Sequence, residues 1–174
     1  MNKSLPQGFR ASGMHAGLKS SGAFDLTLIE NTGPRFDAAA VYTTNKVVAA
    51  PVIWSREVTK GEIVRAAVLN SGGANACTGP DGFLDTHRTA EKVGELLQIS
   101  SGEVVVCSTG LIGERLPMEK IISGIEKLST SLHSDSLEDV AQSIMTTDTV
   151  PKIAQNTTQG VLTVSVAKGA GMLA

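Results

Sequence analysis

Val-Val-Val-Cys-Ser-Thr-Gly-Leu-Ile-Gly-Glu-Arg-Leu-Pro, residues 104–117, is the stretch that decides the fold. Three consecutive β-branched residues, Val104, Val105 and Val106, read as a strand buried on both faces, and the Ser-Thr-Gly behind them reads as an abrupt exit. Gly110 and Gly113 open backbone angles closed to other residues. Amide N–H groups there can turn outward toward a ligand rather than into a ladder. Such donors are the raw material of an oxyanion hole; a plain strand, loop and helix is the competing reading.

Upstream, residues 66–69 read as a second buried strand entering the loop Asn70 Ser71 Gly72 Gly73 Ala74 Asn75 Ala76 Cys77 Thr78 Gly79 Pro80. A polar, glycine-rich loop of that length either packs on itself or binds something. Asp85 or Thr86 is the expected cap of a helix carrying Ala90, Val93, Leu96 and Leu97 on one face, with His87 facing solvent. Downstream, Pro117 suits the first position of a helix whose apolar face is Met118, Ile121, Ile122, Ile125 and Leu128. A polar linker over 129–136, containing His133, leads to a helix with Leu137, Val140, Ala141 and Ile144 inward and Asp135 or Ser136 as cap. That helix runs into Met145 Thr146 Thr147 Asp148 Thr149 Val150 Pro151, either a ligand-facing corner or an ordinary Ser/Thr-rich helix end. Residues 161–166 alternate as a strand with an apolar face and deliver Lys168 Gly169 Ala170 Gly171 Met172; Lys168 by itself is a charge before a turn.

Toward the N-terminus, residues 6–13 and 17–22 are rich in turn-formers and predict loop and short strand. Phe24, Leu26 and Leu28 alternate with Asp25 and Thr27 as a half-buried strand, closed by Asn31 Thr32 Gly33 Pro34. Residues 38–44 and 51–55 read as further strands, with Trp54 as a core or rim residue. Strands interleaved with helices make an α/β layered domain.

Composition narrows the function classes. The 174 residues are one domain's worth of chain, long enough to take about 70% of the unfolded surface out of water. A net charge of -2 and 18% charged residues exclude a basic footprint for nucleic acid or an anionic membrane, and 3% aromatics leave few platforms for base stacking. Cys77 and Cys107, thirty positions apart without a CxxC or a nearby His pair, are expected as free, reduced thiols with no metal between them. With no apolar leader or membrane-length run, a cytoplasmic protein is the simplest expectation.

The motifs Pro6 Gln7 Gly8 Phe9, the loop 70–79, Cys107 Ser108 Thr109 Gly110 Leu111 Ile112 Gly113, Met145 Thr146 Thr147 Asp148 Thr149 and Lys168 Gly169 Ala170 Gly171 Met172 follow one another along the whole chain. In that order they resemble the ornithine acetyltransferase family. In that family one precursor cuts itself into an α and a β chain, and this sequence resembles the α chain, a single domain over 1–174. The implied fold is the layered α/β, N-terminal-nucleophile-like architecture completed by the β chain. The implied partners are that β chain, N-acetylornithine and glutamate, in an α2β2 or larger assembly, with no cofactor, metal, nucleic acid or membrane.

The implied chemistry is acetyl transfer. The threonine that begins the β chain attacks the acetyl group of N-acetylornithine, ornithine leaves, and glutamate takes the acetyl group from the acyl-enzyme. A cut chain end gives this threonine its own α-amine, of pKa about 7.7–8.0, as a nearby base. Thr109 and Gly110 match the family's oxyanion pair, and Thr146 and Lys168 its substrate contacts, with Thr147 an open alternative to Thr146. The family pattern continues beyond Lys-Gly-x-Gly-Met to the nucleophile, whereas this chain stops at Ala174, so the nucleophile is expected outside it. Whether acetyl-CoA also serves as donor is left open. A hydrolase of the N-terminal-nucleophile aminopeptidase type, a secondary-metabolite acetyltransferase and a non-catalytic binding subunit are the rival readings.

Overall fold

The computed structural model describes residues 4–170. Gly171, Met172 and Ala174 lie outside the described residues. In chain order the elements are β1 (Phe9–Met14), β2 (Leu26–Asn31), α1 (Ala50–Val58), β3 (Ala66–Asn70), α2 (Gly79–Leu97) and β4 (Val104–Ser108). They are followed by α3 (Met118–Thr130), α4 (Leu137–Ser143), β5 (Lys152–Thr158) and β6 (Val161–Ala167). The first four strands form one sheet in the order β1-β2-β3-β4, antiparallel except for the last pair. β3 and β4 run parallel, Val68 opposite Val106 and Asn70 opposite Ser108, with α2 in the crossover that such a pair requires. Both strands therefore end at the same edge of the sheet, side by side.

One face carries the core. Leu26, Leu28, Val68, Val104 and Val106 pack against Ala90 and Val93 of α2 and Ile121, Ile125 and Leu128 of α3, all buried. The opposite face is covered over β1 and β2 by α4. Gly13 lets that helix come close, since a Cβ there would stand 2.7 Å from the Asp139 carbonyl oxygen. Over β3 and β4 the same face is half-covered, with Ala67, Leu69 and Val105 partly buried and Cys107 exposed. The β5–β6 hairpin leans on α4, leaving an apolar groove of about 300 Å³ bordered by Phe9, Ile29, Leu69, Ile144, Val164 and Val166.

Several expectations are corrected. Residues 51–55 form the body of α1, because Pro51 in a first helical turn has no N–H to leave unsatisfied. The helix has a specific task at the edge of β4. Ser55 Oγ donates to the Val106 carbonyl at 2.8 Å and accepts from the Val106 N–H at 2.9 Å, and Trp54 Nε1 donates to the Val104 carbonyl at 2.9 Å. A side chain thus replaces the missing neighbour strand. Residues 38–44 form no strand. Ala38 reaches the Glu62 carbonyl at 2.9 Å, yet Val41 is 99% exposed. β propensity without an adjacent strand edge makes no sheet.

The alternation in β2 does not mark a solvent face, since Asp25 and Thr27 are fully buried and hydrogen-bonded. α2 starts at Gly79, so Asp85 and Thr86 are buried inside it rather than capping it; Asp85 pairs with Arg115 at 2.8 Å. Pro117 stands immediately before the first turn of α3. The linker 129–136 is less free than its polarity implies, because His133 and Ala11 exchange backbone hydrogen bonds of 2.9 and 3.0 Å. Ser136 precedes α4 but donates its hydroxyl to the His133 carbonyl instead of accepting from the helix. Strand β5 lacks a strong apolar alternation and is held by its pairing with β6.

The Ser55 hydroxyl yields a stability test. Ser55→Ala leaves the Val106 N–H and carbonyl without this partner, and urea unfolding should show a loss of about 1–3 kcal/mol. Thr130→Ala, at an exposed position, should stay within about 0.5 kcal/mol.

Candidate active site

The parallel strands β3 and β4 end beside a cleft of about 720 Å³. Crevices outside the carboxyl ends of parallel strands are the usual ligand sites of open α/β sheets. The cleft is bordered by Thr109 and Gly110 after β4, Ser71 and Gly72 after β3, Thr146 and Thr147 after α4, and Lys168 and Gly169 after β6. Thr109, Gly110, Thr146 and Lys168, separated by up to 59 positions in the chain, therefore meet around one space, with Thr147 beside them.

Asn70 aims Thr109. Its backbone carbonyl accepts the Thr109 N–H at 3.0 Å, its side-chain oxygen accepts the Ser108 hydroxyl at 2.6 Å, and its amide donates to the Gly73 carbonyl at 2.9 Å. The Thr109 N–H is therefore spent, and what this residue can offer a ligand is its hydroxyl. Lys168 Nζ donates to Thr109 Oγ1 at 2.9 Å, which leaves the threonine O–H as donor. The Gly113 N–H, expected to point outward, is taken by the Ala76 carbonyl at 2.8 Å. The Gly110 N–H has no acceptor among the described residues. One hydroxyl and one adjacent amide are thus the donor pair available for a developing oxyanion.

Gly110 is required sterically as well as conformationally. Its φ is +137°, and a Cβ would lie 2.7 Å from the Gly73 nitrogen and 2.9 Å from the Gly72 carbonyl carbon. Two loop backbones touch here with no space for a side chain between them. The loop 70–79 is itself tied to α2: buried Asn75 donates to the Gly82 carbonyl at 2.8 Å and to Thr86 Oγ1 at 2.9 Å, and accepts from Thr78 at 2.7 Å.

Two carboxylates hold the rest of the rim, and among the described residues no acidic side chain lines the cleft. Asp148, its side chain out of solvent, accepts the Thr146 N–H at 3.1 Å and the Gly169 N–H at 2.6 Å and pairs with Lys152. It clips the threonine corner to the Lys168 segment. The Lys152 contact and these amide bonds hold its carboxyl well below the usual carboxylate range. Asp25 accepts the amides of Ala16, Leu18 and Lys19 at 2.6, 2.7 and 2.9 Å and shapes the loop that brings Lys19, Ser20 and Ser21 to the cleft. These three residues escaped the sequence reading; the only signal was one cation within a Gly/Ser-rich run. Among the described residues no group of three or more His, Cys, Asp or Glu is placed to hold a metal, and Cys77 and Cys107 are free. No helix of the described residues is long and apolar enough to cross a membrane.

This layered α/β fold is shared with solved structures. It superposes on the ornithine acetyltransferase of Mycobacterium tuberculosis, a structure complexed with ornithine, at a TM-score of 0.96 with 48% identity, covering 100% of this chain and 96% of that one. The arginine biosynthesis bifunctional protein ArgJ of Bacillus halodurans matches at 0.87 and 38%, over 97% of this chain and 90% of that one. The chain belongs to the ArgJ family, whose model matches residues 10–174. The arginine biosynthesis bifunctional protein ArgJ of Streptomyces avermitilis is 55% identical over 174 residues, covering 100% of this chain and 45% of that protein. The chain spans less than half the length of that relative.

Two outcomes follow from this geometry. Gly110→Ala, assayed in the full-length protein, should lower turnover by about 10²-fold or more, because the added methyl drives the Gly110 amide away from the Gly72–Gly73 backbone. Asp148 makes the site acid-sensitive. Its folded pKa lies below the unfolded value of about 3.9, so its stabilisation is complete above that value and is lost as pH falls through the folded pKa. Asp148→Asn should flatten the acid limb of a urea-midpoint profile, and a profile as steep as the parent's would remove this role.

Proposed function

We propose that this chain is the N-terminal, α part of a glutamate N-acetyltransferase, which moves the acetyl group of N2-acetyl-L-ornithine to L-glutamate in arginine biosynthesis. The carrying observation is the donor pair at the end of β4, Thr109 hydroxyl and Gly110 amide, set in a cleft with Lys168 and Thr146. The nucleophile in this reading is a threonine downstream of the residues given, exposed as the first residue of a β chain when the precursor cuts itself. Its attack on the acetamide carbonyl builds a tetrahedral oxyanion, which Thr109 and Gly110 receive. Collapse expels ornithine, with a proton delivered to the leaving nitrogen, and leaves an acetyl-threonine ester. The glutamate amine then attacks the ester through a second oxyanion in the same hole, restoring the threonine.

Lys168 has a double place in this scheme. It touches Thr109 Oγ1, which fixes the hydroxyl rotor, and it presents a cation beside the reacting carbonyl for the α-carboxylate of either substrate. Thr146, whose backbone is pinned by Asp148, offers a hydroxyl to the same ligand. The half-covered face formed by Ala67, Leu69 and Val105, with the apolar groove beside it, supports a β chain from the same precursor as the covering partner, in an α2β2 or larger assembly. A cytoplasmic setting accords with this reading.

The kinetics test it. Full-length protein should give ping-pong kinetics with N-acetylornithine and glutamate, and Thr109→Ala should reduce kcat by about 10²-fold or more in both half-reactions. Ornithine release that continues at the same rate without glutamate would favour the hydrolase reading.

A further inference from the structure

The cleft contains a second cation that the scheme above leaves unused. Lys19 is half-buried on its wall, held by the Asp25-clamped loop, and its ammonium donates to the Phe24 carbonyl at 2.8 Å and the Met145 carbonyl at 2.7 Å. Two of its three N–H donors are thus spent, and one is free for a ligand. Burial, with Lys168 adding to it, lowers the Lys19 pKa even though Asp25 and Asp148 oppose the shift. A cation short of solvation and facing a cleft wall without carboxylates gains most from an incoming anion.

The two substrates differ in what such a cation can hold. Each carries an α-carboxylate one carbon from the reacting nitrogen, which falls to Lys168 because Lys168 touches the oxyanion threonine. Glutamate carries a second carboxylate at the far end of its side chain, whereas ornithine ends in an ammonium that Lys19 repels. We propose that Lys19 is the specificity-determining residue for the acceptor, binding the side-chain carboxylate of glutamate in the second half-reaction. This rests on the transferase reading and deepens it by assigning the acceptor's distal subsite.

The test uses the full-length protein and two acceptors of the same shape, glutamate and glutamine. In the parent, kcat/KM should favour glutamate strongly. Lys19→Gln should reduce the glutamate-to-glutamine preference by about tenfold or more, mainly through KM for glutamate, and Lys19→Arg should recover part of it. A burst of ornithine from N-acetylornithine shows that each variant has folded and acylates. A Lys19→Gln enzyme that bursts and keeps the parent's glutamate preference overturns the assignment. A Lys19→Gln enzyme that loses rate equally with both acceptors also overturns it, leaving Lys19 as a tie to the Met145 carbonyl. A parent protein that neither releases ornithine nor acetylates glutamate contradicts the transferase reading itself, and the subsite with it.

Discussion

Everything at the site depends on one backbone contact, the approach of Gly110 to Gly72 and Gly73 at the carboxyl ends of β3 and β4. Parallel pairing delivers two loops to one edge, and Asn70, the last residue of β3, ties them through the Thr109 N–H and the Gly73 carbonyl. Contact at this distance excludes any side chain, so the Gly110 amide is fixed by backbone geometry, while the Thr109 hydroxyl is held by its contact with Lys168. Preorganised donors of this kind stabilise charge without the reorganisation that water would require. The helix α1 protects the arrangement from the other side. By satisfying the outer edge of β4 with Ser55 and Trp54, it keeps the strand that carries Thr109 in register without a further strand beside it.

Charge is arranged by the same logic of hiding one sign and presenting the other. Asp25 and Asp148 are both out of solvent and both occupied by backbone amides, so they act as clamps for the loops that carry Lys19 and Lys168. Their negative charge is compensated behind the wall, while the cations and hydroxyls line the space. Such a lining offers an anion both positive charge and hydrogen-bond donors. Hydrogen bonds also tie these segments to one another, Lys19 reaching the Met145 carbonyl at 2.7 Å and the Gly169 N–H reaching Asp148 at 2.6 Å.

The sequence made the central strand pair, helices α2 to α4 and the final strand legible, because each carries a long apolar period or a β-branched run. Its failures have particular causes. Residues 51–55 and 38–44 are short apolar runs in which strand and helix cannot be separated by pattern. The first is α1, which covers the edge of β4, and the second joins no sheet, reaching only the Glu62 carbonyl through the Ala38 N–H. Asp25 looked like an outward polar residue because alternation cannot distinguish a solvent face from a face where every polar atom is satisfied. At the site, Thr109, Gly110, Thr146 and Lys168 rested on ordered motifs that resembled a family, and they converge on one cleft. That the Thr109 amide is occupied, which leaves only its hydroxyl free to donate, was not legible, since it depends on the Asn70 carbonyl. Neither was Lys19, whose position depends on a buried carboxylate six residues away.

The most direct test of the central claim is the intact mass of every polypeptide of the full-length protein after incubation with N-acetylornithine in the absence of glutamate. The acyl-transfer account predicts two chains, with one added acetyl group on the chain that begins with threonine, none on the chain described above, and loss of the label when glutamate is added. An acetyl group found on this chain, or an uncut polypeptide that still acetylates glutamate, would contradict it.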